Sequence, residues 1–401
     1  MPKLVRFLAL GGACVTVFLA ALLVQQGGPK KEEPAEKPAA KAFRFDVAPY
    51  LQFGTRTGMT VCCETSAASS CEALYGLSSP PTLSAKSKTD GTFHEFPLTN
   101  LQPSTKYFYQ VSCTAADGTV LKGPASTFFT AVNENEAFSF CVFGDTQRNP
   151  AATAKVAKVM WDRRPNFVVH LGDVVDDGAA GWQWTGDLFK PCADLFSRVP
   201  IYPTIGNHEK NHASYYKYFA VPKPEYYYTF RYGNIDFFSI DTNKDVGPAS
   251  EQYKWLEKQL ADSTAKWKIV FHHHPLYSSD ADDYGDTNRT NSTYGAKQHK
   301  PLIELVEKYN VDFVMNGHIH AYERTQPIRA GKVDPKGTIH ITSGGGGGKL
   351  EEFEPTPAFF KNQNRTTYHA CYFTVVGGKL TGHVFDSDGQ LFDQFEVKKG
   401  E

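Results

Sequence analysis

The sequence predicts two folded units in series: a small β-sandwich over residues 43–132, followed by an α/β unit over residues 137–398. Residues 43–132 show short strand patterns with turn signals between them and no helical periodicity, as in an all-β domain. From residue 137 onward strands alternate with helices, and a run of hairpins follows residue 366. Mixed elements in that order are typical of two packed mixed β-sheets flanked by helices.

The segment before the sandwich predicts a route out of the cytoplasm. Residues 1–26 contain Lys3 and Arg6 and then an apolar run over residues 7–24. This pattern fits a membrane anchor, and it also fits a signal peptide. The absence of a small-residue cleavage site after the run slightly favours the anchor, and thus a possible membrane tether. Residues 27–42 are rich in Lys, Glu, Pro and Ala, which predicts a flexible linker.

We therefore expect an extracytoplasmic protein that is secreted, periplasmic, or anchored with its folded part outside. The 401 residues carry a formal net charge of -1, which gives no electrostatic case for binding nucleic acid. Four cysteines crowd into the sandwich region: Cys62, Cys63, Cys71 and Cys113. An exported protein can form disulfides there, and ordinary buried thiols are the alternative. Their pairing and the oligomeric state stay open.

The sandwich region contains strand patterns at residues 60–64, 107–113 and 126–130, with turns at Asp90-Gly91 and Asp117-Gly118. Residues 98–110, L-T-N-L-Q-P-S-T-K-Y-F-Y-Q, resemble a signature of fibronectin type III domains. Tyr107 and Tyr109 alternate along this stretch, as a half-buried strand requires. We expect both rings to pack in the core or at a corner.

The second unit shows helical periodicity in three places. Apolar residues recur on one helical face at residues 152–160, then at residues 253–260 after Ser250, and again after Pro301. Hairpin turns are predicted at Gly233-Asn234, Gly377-Gly378 and Asp388-Gly389.

Polar side chains follow five strand-like apolar runs in this unit, each time at the carboxyl end. The five groups are Gly144-Asp145, Gly172-Asp173, Gly206-Asn207-His208-Glu209, His272-His273-His274 and Gly317-His318-Ile319-His320. In an α/β sheet those ends share one edge, where ligands bind. Carboxylate, amide oxygen and imidazole without thiolate form a mixed donor set, which indicates hydrolytic metal ions instead of a structural zinc site.

The five motifs G-D-T-Q, G-D-V-V-D, G-N-H-E, H-H-H-P and G-H-I-H-A-Y-E-R together resemble those of the calcineurin-like metallophosphoesterases. More narrowly, residues 43–398 resemble the purple acid phosphatases, in which a sandwich domain also precedes the catalytic domain. The resemblance implies an exported enzyme with two divalent metal ions. Its substrates would be small phosphate monoesters, and its nucleophile a hydroxide on the metals.

The resemblance also implies a role for each motif residue. Asp173 bridges the two metals. One site is completed by Asp145 and His320, and the other by Asn207, His273 and His318. His208 contacts the phosphate or protonates the leaving group, for which an imidazole is suited.

Two positions depart from the family pattern. Purple enzymes have a tyrosine three residues after the bridging aspartate, where this chain has Asp176, and other members have a histidine where this chain has Gln147. We therefore expect Gln147 or Asp176 to supply the missing ligand, directly or through water, and His274 to lie in the outer shell. Oxygen ligands there favour Fe, Mn or Zn as divalent ions, and predict a colourless protein.

Residues 277–284 form an acidic segment containing Asp280, Asp282 and Asp283. Negative charge there weakly favours a diester or a substrate with a cationic part, whereas a solvated surface loop explains it equally well. Two alternatives to a monoesterase therefore remain: a phosphodiesterase of the same fold, and a non-catalytic surface-binding module that contains metal.

Overall fold

The computed structural model describes residues 42–87, 91–280 and 297–400. The predicted anchor or signal segment and nearly all of the predicted linker lie outside these residues. No helix within the described ranges has both the length and the apolar character needed to cross a membrane.

The first part of the chain is built from strands, as predicted. These are β1 (Phe45–Gln52), β2 (Gly58–Thr65), β3 (Ser69–Gly76), β4 (Leu83–Lys86), β5 (Phe93–Thr99), β6 (Lys106–Ala115), β7 (Val120–Lys122) and β8 (Ser126–Phe129). Strands β5 and β6 alternate buried with more exposed side chains, which is the period-two pattern of a half-buried strand.

Strands and helices alternate in the second part. The strands are β9 (Phe138–Phe143), β10 (Phe167–His170), β11 (Ile201–Pro203), β12 (Tyr228–Tyr232), β13 (Ile235–Ser239), β14 (Trp267–His272), β15 (Phe313–Asn316), β16 (Tyr322–Thr325), β17 (Ile328–Arg329), β18 (Lys332–Val333), β19 (Ile339–Ser343), β20 (Lys361–Arg365), β21 (His369–Val376), β22 (Lys379–Asp386) and β23 (Leu391–Lys398). The helices are α1 (Pro150–Asp162), α2 (Gly181–Gln183), a π-helix (Trp184–Phe189), α3 (Ala193–Phe196), α4 (Ala213–Tyr218), α5 (Glu251–Asp262), a 3-10 turn (Lys297–His299) and α6 (Lys300–Lys308).

All three predicted helices form, and two of them begin at a side-chain cap. The Asn149 side chain accepts a hydrogen bond from the Ala152 N–H, and Pro150 opens α1. The Ser250 hydroxyl accepts from the Tyr253 N–H at the start of α5. Caps of this kind satisfy backbone donors that the first helical turn leaves without partners.

Two large sheets form the body of the fold. One has the order β23-β22-β21-β9-β10-β11-β1-β2-β5, and the other has the order β12-β13-β14-β15-β19-β16-β20. Strands β9, β10 and β11 run parallel, as do β13, β14, β15 and β19. The predicted pair of mixed sheets flanked by helices is confirmed.

Aromatic side chains fill the space between the two sheets. Phe140 and Phe167 from the first sheet lie with their ring centroids 5.1 Å apart, and both meet Phe237 from the second sheet edge-on at 5.4 Å. Each ring is fully buried, and burying a phenylalanine contributes about 2–3 kcal/mol. This inner layer packs the two sheets against each other.

The β-rich first part is continuous with the second part through hydrogen bonds. Strand β1 pairs with β11 in parallel at Gln52 and Ile201, so β1, β2 and β5 extend the first large sheet. The remaining strands of the first part form a separate sheet with the order β4-β3-β6-β7, and β8 pairs with β6. The hydroxyl of Tyr109 donates to the Ser197 carbonyl at 2.8 Å across the junction.

The two tyrosines of the fibronectin-like stretch have packing roles, as expected. Tyr109 is buried at the junction, and Tyr107 stacks on Phe128 with centroids 5.5 Å apart. The Tyr107 hydroxyl accepts from the Gln102 N–H at 2.9 Å. Cys71 and Cys113 lie opposite each other on β3 and β6 and form a disulfide, whereas Cys62 and Cys63 are buried free thiols.

Candidate metal centre

Five loops deliver polar residues to one edge of the paired sheets. Strands β9, β10 and β11 lead into the loops that carry Asp145, Asp173 and Asn207, and strands β14 and β15 lead into those that carry His273 and His318. Because the parallel strands of both sheets end at this edge, residues separated by up to 173 positions come into hydrogen-bonding distance.

Three of these residues have a left-handed backbone. The φ angles are 61° at Asp145, 52° at Asp173 and 72° at His318. Such conformations cost on the order of 1 kcal/mol or more for a residue with a Cβ atom, and they concentrate at functional sites. The strain turns each side chain from its strand into the shared edge.

His273 is the centre of the first group of ligand atoms. Its Nδ1 donates to the Leu171 carbonyl at 2.8 Å, which leaves the Nε2 lone pair facing the site. That Nε2 lies 2.9 Å from Asn207 Oδ1, 3.1 Å from Asp173 Oδ2 and 3.2 Å from His318 Nδ1. Asn207 Oδ1 is also 3.1 Å from His318 Nδ1.

When His273 is neutral its proton lies on Nδ1, so the Nε2 lone pair faces the lone pairs of Asn207 Oδ1 and Asp173 Oδ2, and these contacts are unfavourable without an added proton or a cation. A cation satisfies all of them at once. The donor set of carboxylate, amide oxygen and imidazole is one that divalent transition metals accept. The residues therefore fit a metal ion.

Electrostatics in the buried group show the same need for positive charge. Burial opposes the ionisation of Asp173, but attraction to His273 outweighs it and lowers the pKa of Asp173 to about 2. Burial likewise disfavours a charged His273, yet Asp173 raises the pKa of that imidazole to about 10. A proton on His273 therefore supplies the balancing charge when no other cation does.

Asp145 and His320 form the second group. Both carboxylate oxygens of Asp145 accept from the His318 N–H, at 2.9 and 3.1 Å. His320 Nδ1 donates to the Lys349 carbonyl at 2.7 Å, which directs Nε2 toward Asp145 Oδ1 at 3.6 Å. Burial raises the pKa of Asp145 well above its usual range, with attraction to His273 opposing and repulsion from Asp173 adding to the rise.

Gln147 lies beside the second group. Its Nε2 is 3.1 Å from His320 Nε2, and its side chain is almost completely buried. Gln147 Oε1 is buried and has no hydrogen-bond partner among the described residues. A buried amide oxygen without a partner is costly, so this atom has a physical reason to meet a cation or a water in the site.

The Asp176 carboxylate pairs with an arginine instead of joining either group of ligand atoms. One oxygen of its carboxylate accepts from Arg148 Nε at 2.7 Å and also meets Arg148 Nη2. The same oxygen lies 3.3 Å from His208 Nδ1, and the Asp176 carbonyl accepts from that Nδ1 at 2.8 Å. Asp176 therefore contacts a guanidinium and orients His208, whose Nε2 is 3.9 Å from Asp173 Oδ2.

His274 borders the first group on its outer side. Its ring centroid is 4.6 Å from that of His318. The Thr242 hydroxyl accepts from the His274 N–H at 3.1 Å and lies 2.9 Å from His274 Nδ1. Burial, followed by repulsion from His273, lowers the pKa of His274 far below its usual range, so this ring is neutral.

Two residues that the sequence reading assigned no role support the site. The buried carboxylate of Glu209 accepts from the backbone N–H groups of Asp173 and Val174, at 3.0 and 2.6 Å. These hydrogen bonds connect the loops after β10 and β11. The position of Glu209 in the G-N-H-E motif is the sequence signal from which a role at the site could have been predicted. Glu351 accepts from the His320 N–H at 2.6 Å, and nothing in its local sequence indicates this contact.

The glycine run 344–348 lets the backbone pass close to the ligands. A Cβ atom at Gly344 would lie 2.8 Å from Asp145 Oδ2, and one at Gly348 would lie 2.7 Å from ring atoms of His320. Real Cβ atoms do not approach that closely, so side chains are excluded at these positions. Asp280 is buried, which rules out a solvated surface position for that residue; Asp282 and Asp283 lie outside the described residues.

Comparisons with known proteins agree with this geometry. A calcineurin-like phosphoesterase family model matches residues 138–322. Purple acid phosphatase 22 of Arabidopsis thaliana is 28% identical over 312 residues, covering 72% of this chain and 67% of that protein. Probable inactive purple acid phosphatase 1 of the same plant is 27% identical over 364 residues, covering 77% of this chain and 58% of that protein.

The structural comparison extends the likeness beyond the matched domain. The purple acid phosphatase PPD1 from yellow lupin (Lupinus luteus) seeds has a TM-score of 0.78 and 22% identity, over 88% of this chain and 74% of that chain. This likeness shows a shared fold that includes the β-rich first part. The chain therefore contains a calcineurin-like phosphoesterase domain, and its homologues include purple acid phosphatases.

Proposed function

We propose that this protein is an exported, dinuclear metal-dependent phosphoesterase that hydrolyses small phosphate monoesters. The observation that carries the proposal is the cluster of potential ligand atoms on Asp145, Asp173, Asn207, His273 and His318. Asp173, Asn207 and a neutral His273 direct lone pairs at one another, an arrangement that a cation satisfies, and the chain is homologous to phosphatases. The homologues named inactive show that the fold alone does not guarantee turnover.

The two groups of ligands share Asp173 in this proposal. His273, His318 and Asn207 would hold one divalent ion and Asp145 and His320 the other. Gln147 Oε1 would serve the second, because it is buried without a hydrogen-bond partner among the described residues. Divalent Fe, Mn or Zn suits such mixed ligands. When bound, these ions supply a water of lowered pKa and neutralise charge on the phosphoryl oxygens.

The chain itself contributes orientation and a proton. His208 is partly exposed, and its Nδ1 is fixed by the Asp176 carbonyl, so its Nε2 points toward the bridging carboxylate. A protonated Nε2 there reaches the leaving-group oxygen of a bound ester and donates to it as the bond breaks. His274 borders the site as a neutral ring that is held by Thr242.

Export is supported by the disulfide between Cys71 and Cys113, because such bonds persist in oxidising compartments. The apolar segment at residues 7–24 then serves as signal or tether, and the first part acts as a fibronectin type III-like module. The folded part faces the outside of the cell.

The test is hydrolysis of para-nitrophenyl phosphate and of its bis-nitrophenyl diester by the full chain, stripped of metal and reloaded with Mn²⁺, Zn²⁺ or Fe²⁺. We expect metal-dependent turnover with the monoester preferred. Asp173→Asn, which removes the bridging charge, abolishes that turnover if the proposal holds. Retained activity in this variant, or no hydrolysis of either ester by the metal-loaded protein, rejects the proposal.

A phosphodiesterase is the second candidate, because Asp280 belongs to the acidic segment that follows His274. A preference for the diester in the same assay selects it.

A further inference from the structure

Arg148 occupies a position beside the candidate metal centre that no motif predicted. It follows Gln147 directly, and its backbone has a left-handed φ of 73°. Its N–H donates to the buried carboxylate of Asp187 at 3.3 Å, which anchors the residue to the π-helix. Backbone and side chain of Arg148 are thus both held by hydrogen bonds.

The side chain keeps donors available for a ligand. Nε and Nη2 both contact a single oxygen of Asp176, and the side chain is 55% exposed. A guanidinium has five N–H donors in a planar fork, so those that do not face Asp176 can serve a second oxyanion. Planar donors of this kind match phosphate oxygens in a bidentate fashion.

The position of the guanidinium relative to the centre follows from a short chain of contacts. The Asp176 oxygen that binds Arg148 lies 3.3 Å from His208 Nδ1, and His208 Nε2 lies 3.9 Å from Asp173 Oδ2. From the other side, Gln147 lies 3.1 Å from His320. Arg148 is therefore located at the rim, next to the residues assigned to the leaving-group side.

The negative charge of Asp176 explains why an arginine beside it matters for substrate binding. Asp176 stands where its carboxylate would repel a phosphate dianion approaching His208, and Arg148 neutralises that carboxylate. The pair is therefore neutral overall, and the exposed guanidinium keeps N–H donors beyond those that contact Asp176. A phosphate oxygen can join the pair without displacing Asp176.

We propose that Arg148 is a substrate-binding residue: its guanidinium donates to a phosphoryl oxygen of a phosphate monoester dianion, and Asp176 holds it in place. The inference rests on the proposed function for its substrate class. A dianion gains more from the guanidinium than a diester monoanion does, so Arg148 favours monoesters.

The experiment measures binding of inorganic phosphate to the metal-loaded full chain by isothermal titration calorimetry, with steady-state kinetics on the two nitrophenyl esters in parallel. The variants are Arg148→Ala and the double variant Arg148→Ala with Asp176→Asn. Arg231→Ala is the matched control, because Arg231 also pairs with an aspartate, Asp236, at 2.7 and 2.8 Å. This pair lies on the β12–β13 hairpin, at the end of the second sheet opposite to the candidate metal centre.

We expect Arg148→Ala to weaken phosphate binding by about 10- to 100-fold, the usual effect of losing charge-assisted hydrogen bonds. Its kcat/KM should fall more for the monoester than for the diester, mainly through KM. The double variant should not regain affinity, because the donors are gone even though the repulsive carboxylate is gone too. Arg231→Ala should bind phosphate as the unmodified protein does.

Three results overturn the inference. Unchanged phosphate affinity in Arg148→Ala would show that the guanidinium does not contact the phosphate. Recovery of phosphate affinity in the double variant would mean that Arg148 acts only by neutralising the charge of Asp176. Absence of phosphate binding in the unmodified metal-loaded protein rejects both this inference and the proposed function. Phosphate binding that depends on Arg148, but without turnover of either ester, rejects the proposed function alone. If alanine also lowers the metal content, Arg148→Lys replaces it, and full affinity in that variant counts against bidentate donation.

Discussion

His273 Nδ1 donates a hydrogen bond to the carbonyl oxygen of Leu171 at 2.8 Å, across 102 positions of sequence and between the two sheets. The carbonyl follows β10 and the imidazole follows β14, so this bond joins the two halves of the candidate metal centre. Because it fixes which nitrogen carries the proton, it also fixes which nitrogen faces Asp173 and Asn207.

We predict that His273→Ala lowers bound metal from two ions to one or fewer per chain. The variant loses the imidazole nearest to Asp173 and Asn207, so the first group of ligands retains only part of its donors. Elemental analysis after reloading and desalting measures the effect. His383→Ala is the control, since that ring lies on β22 beside Phe385 and Tyr372 of the neighbouring β21. Two ions per chain in His273→Ala would contradict the assignment.

Gln147 gives a second prediction about metal affinity. Gln147→Ala removes a buried amide whose Oε1 has no partner and whose Nε2 lies beside His320. We expect about a 10- to 100-fold weaker affinity for the ion at Asp145 and His320, the range seen for outer-shell and auxiliary ligands. Competition with a chelator measures it. Gln110→Ala, in the β-rich first part, is the control, and unchanged affinity in Gln147→Ala would mean that Oε1 meets only water.

Glu323 gives a prediction about pH and stability. Its buried carboxyl accepts from the Ser279 N–H at 3.0 Å, and burial raises its pKa from 4.5 to about 7, with hydrogen bonds from Ser279 opposing the rise. Between those two pH values the folded chain holds a proton that the unfolded chain has released. The free energy of unfolding therefore decreases as pH rises through this window.

Glu323→Gln should remove that decrease. The variant gains stability relative to the unmodified protein as pH rises from 5 to 8, by about 1–3 kcal/mol. Urea unfolding at both pH values measures the difference. Glu304→Gln, at an exposed position on α6, should show no such change. If the free energies of unfolding of Glu323→Gln and of the unmodified protein differ by the same amount at both pH values, Glu323 does not titrate in this range.

A buried ion pair supports the strand that follows the His318–His320 loop. Arg324 Nε and Nη2 contact Asp393 at 2.8 and 2.9 Å, and the Tyr322 hydroxyl donates to the same carboxylate at 2.6 Å. Arg324→Ala leaves Asp393 buried without its main partner, so we expect a loss of about 3–5 kcal/mol.

Chemical denaturation measures that loss, and the exposed pair between Lys155 and Asp388 is the reference. Lys155→Ala should change the free energy of unfolding by less than about 1 kcal/mol, because exposed pairs are screened by water. Equal effects in the two variants would show that the burial of Arg324 and Asp393 does not govern their interaction.

The sequence by itself determined the order of the elements and the identity of the motif residues. Apolar runs ending in Gly-Asp, Gly-Asn-His or His-His-His mark strand ends, because a buried strand is apolar whereas the loop that follows it carries polar side chains. The prediction that Asp145, Asp173, Asn207, His273, His318 and His320 share one sheet edge rests on that local signal and on the geometry of parallel strands.

Only the tertiary structure decided which partner each of these residues meets. Asp176 was a possible metal ligand in the sequence, yet it faces Arg148, a neighbour 28 positions away that no local pattern indicates. The support of His320 by Glu351 and the pairing of β1 with β11 likewise join distant segments. Local composition determines secondary structure and solvent preference, whereas these contacts depend on which strands become neighbours within each sheet, which is a property of the whole chain.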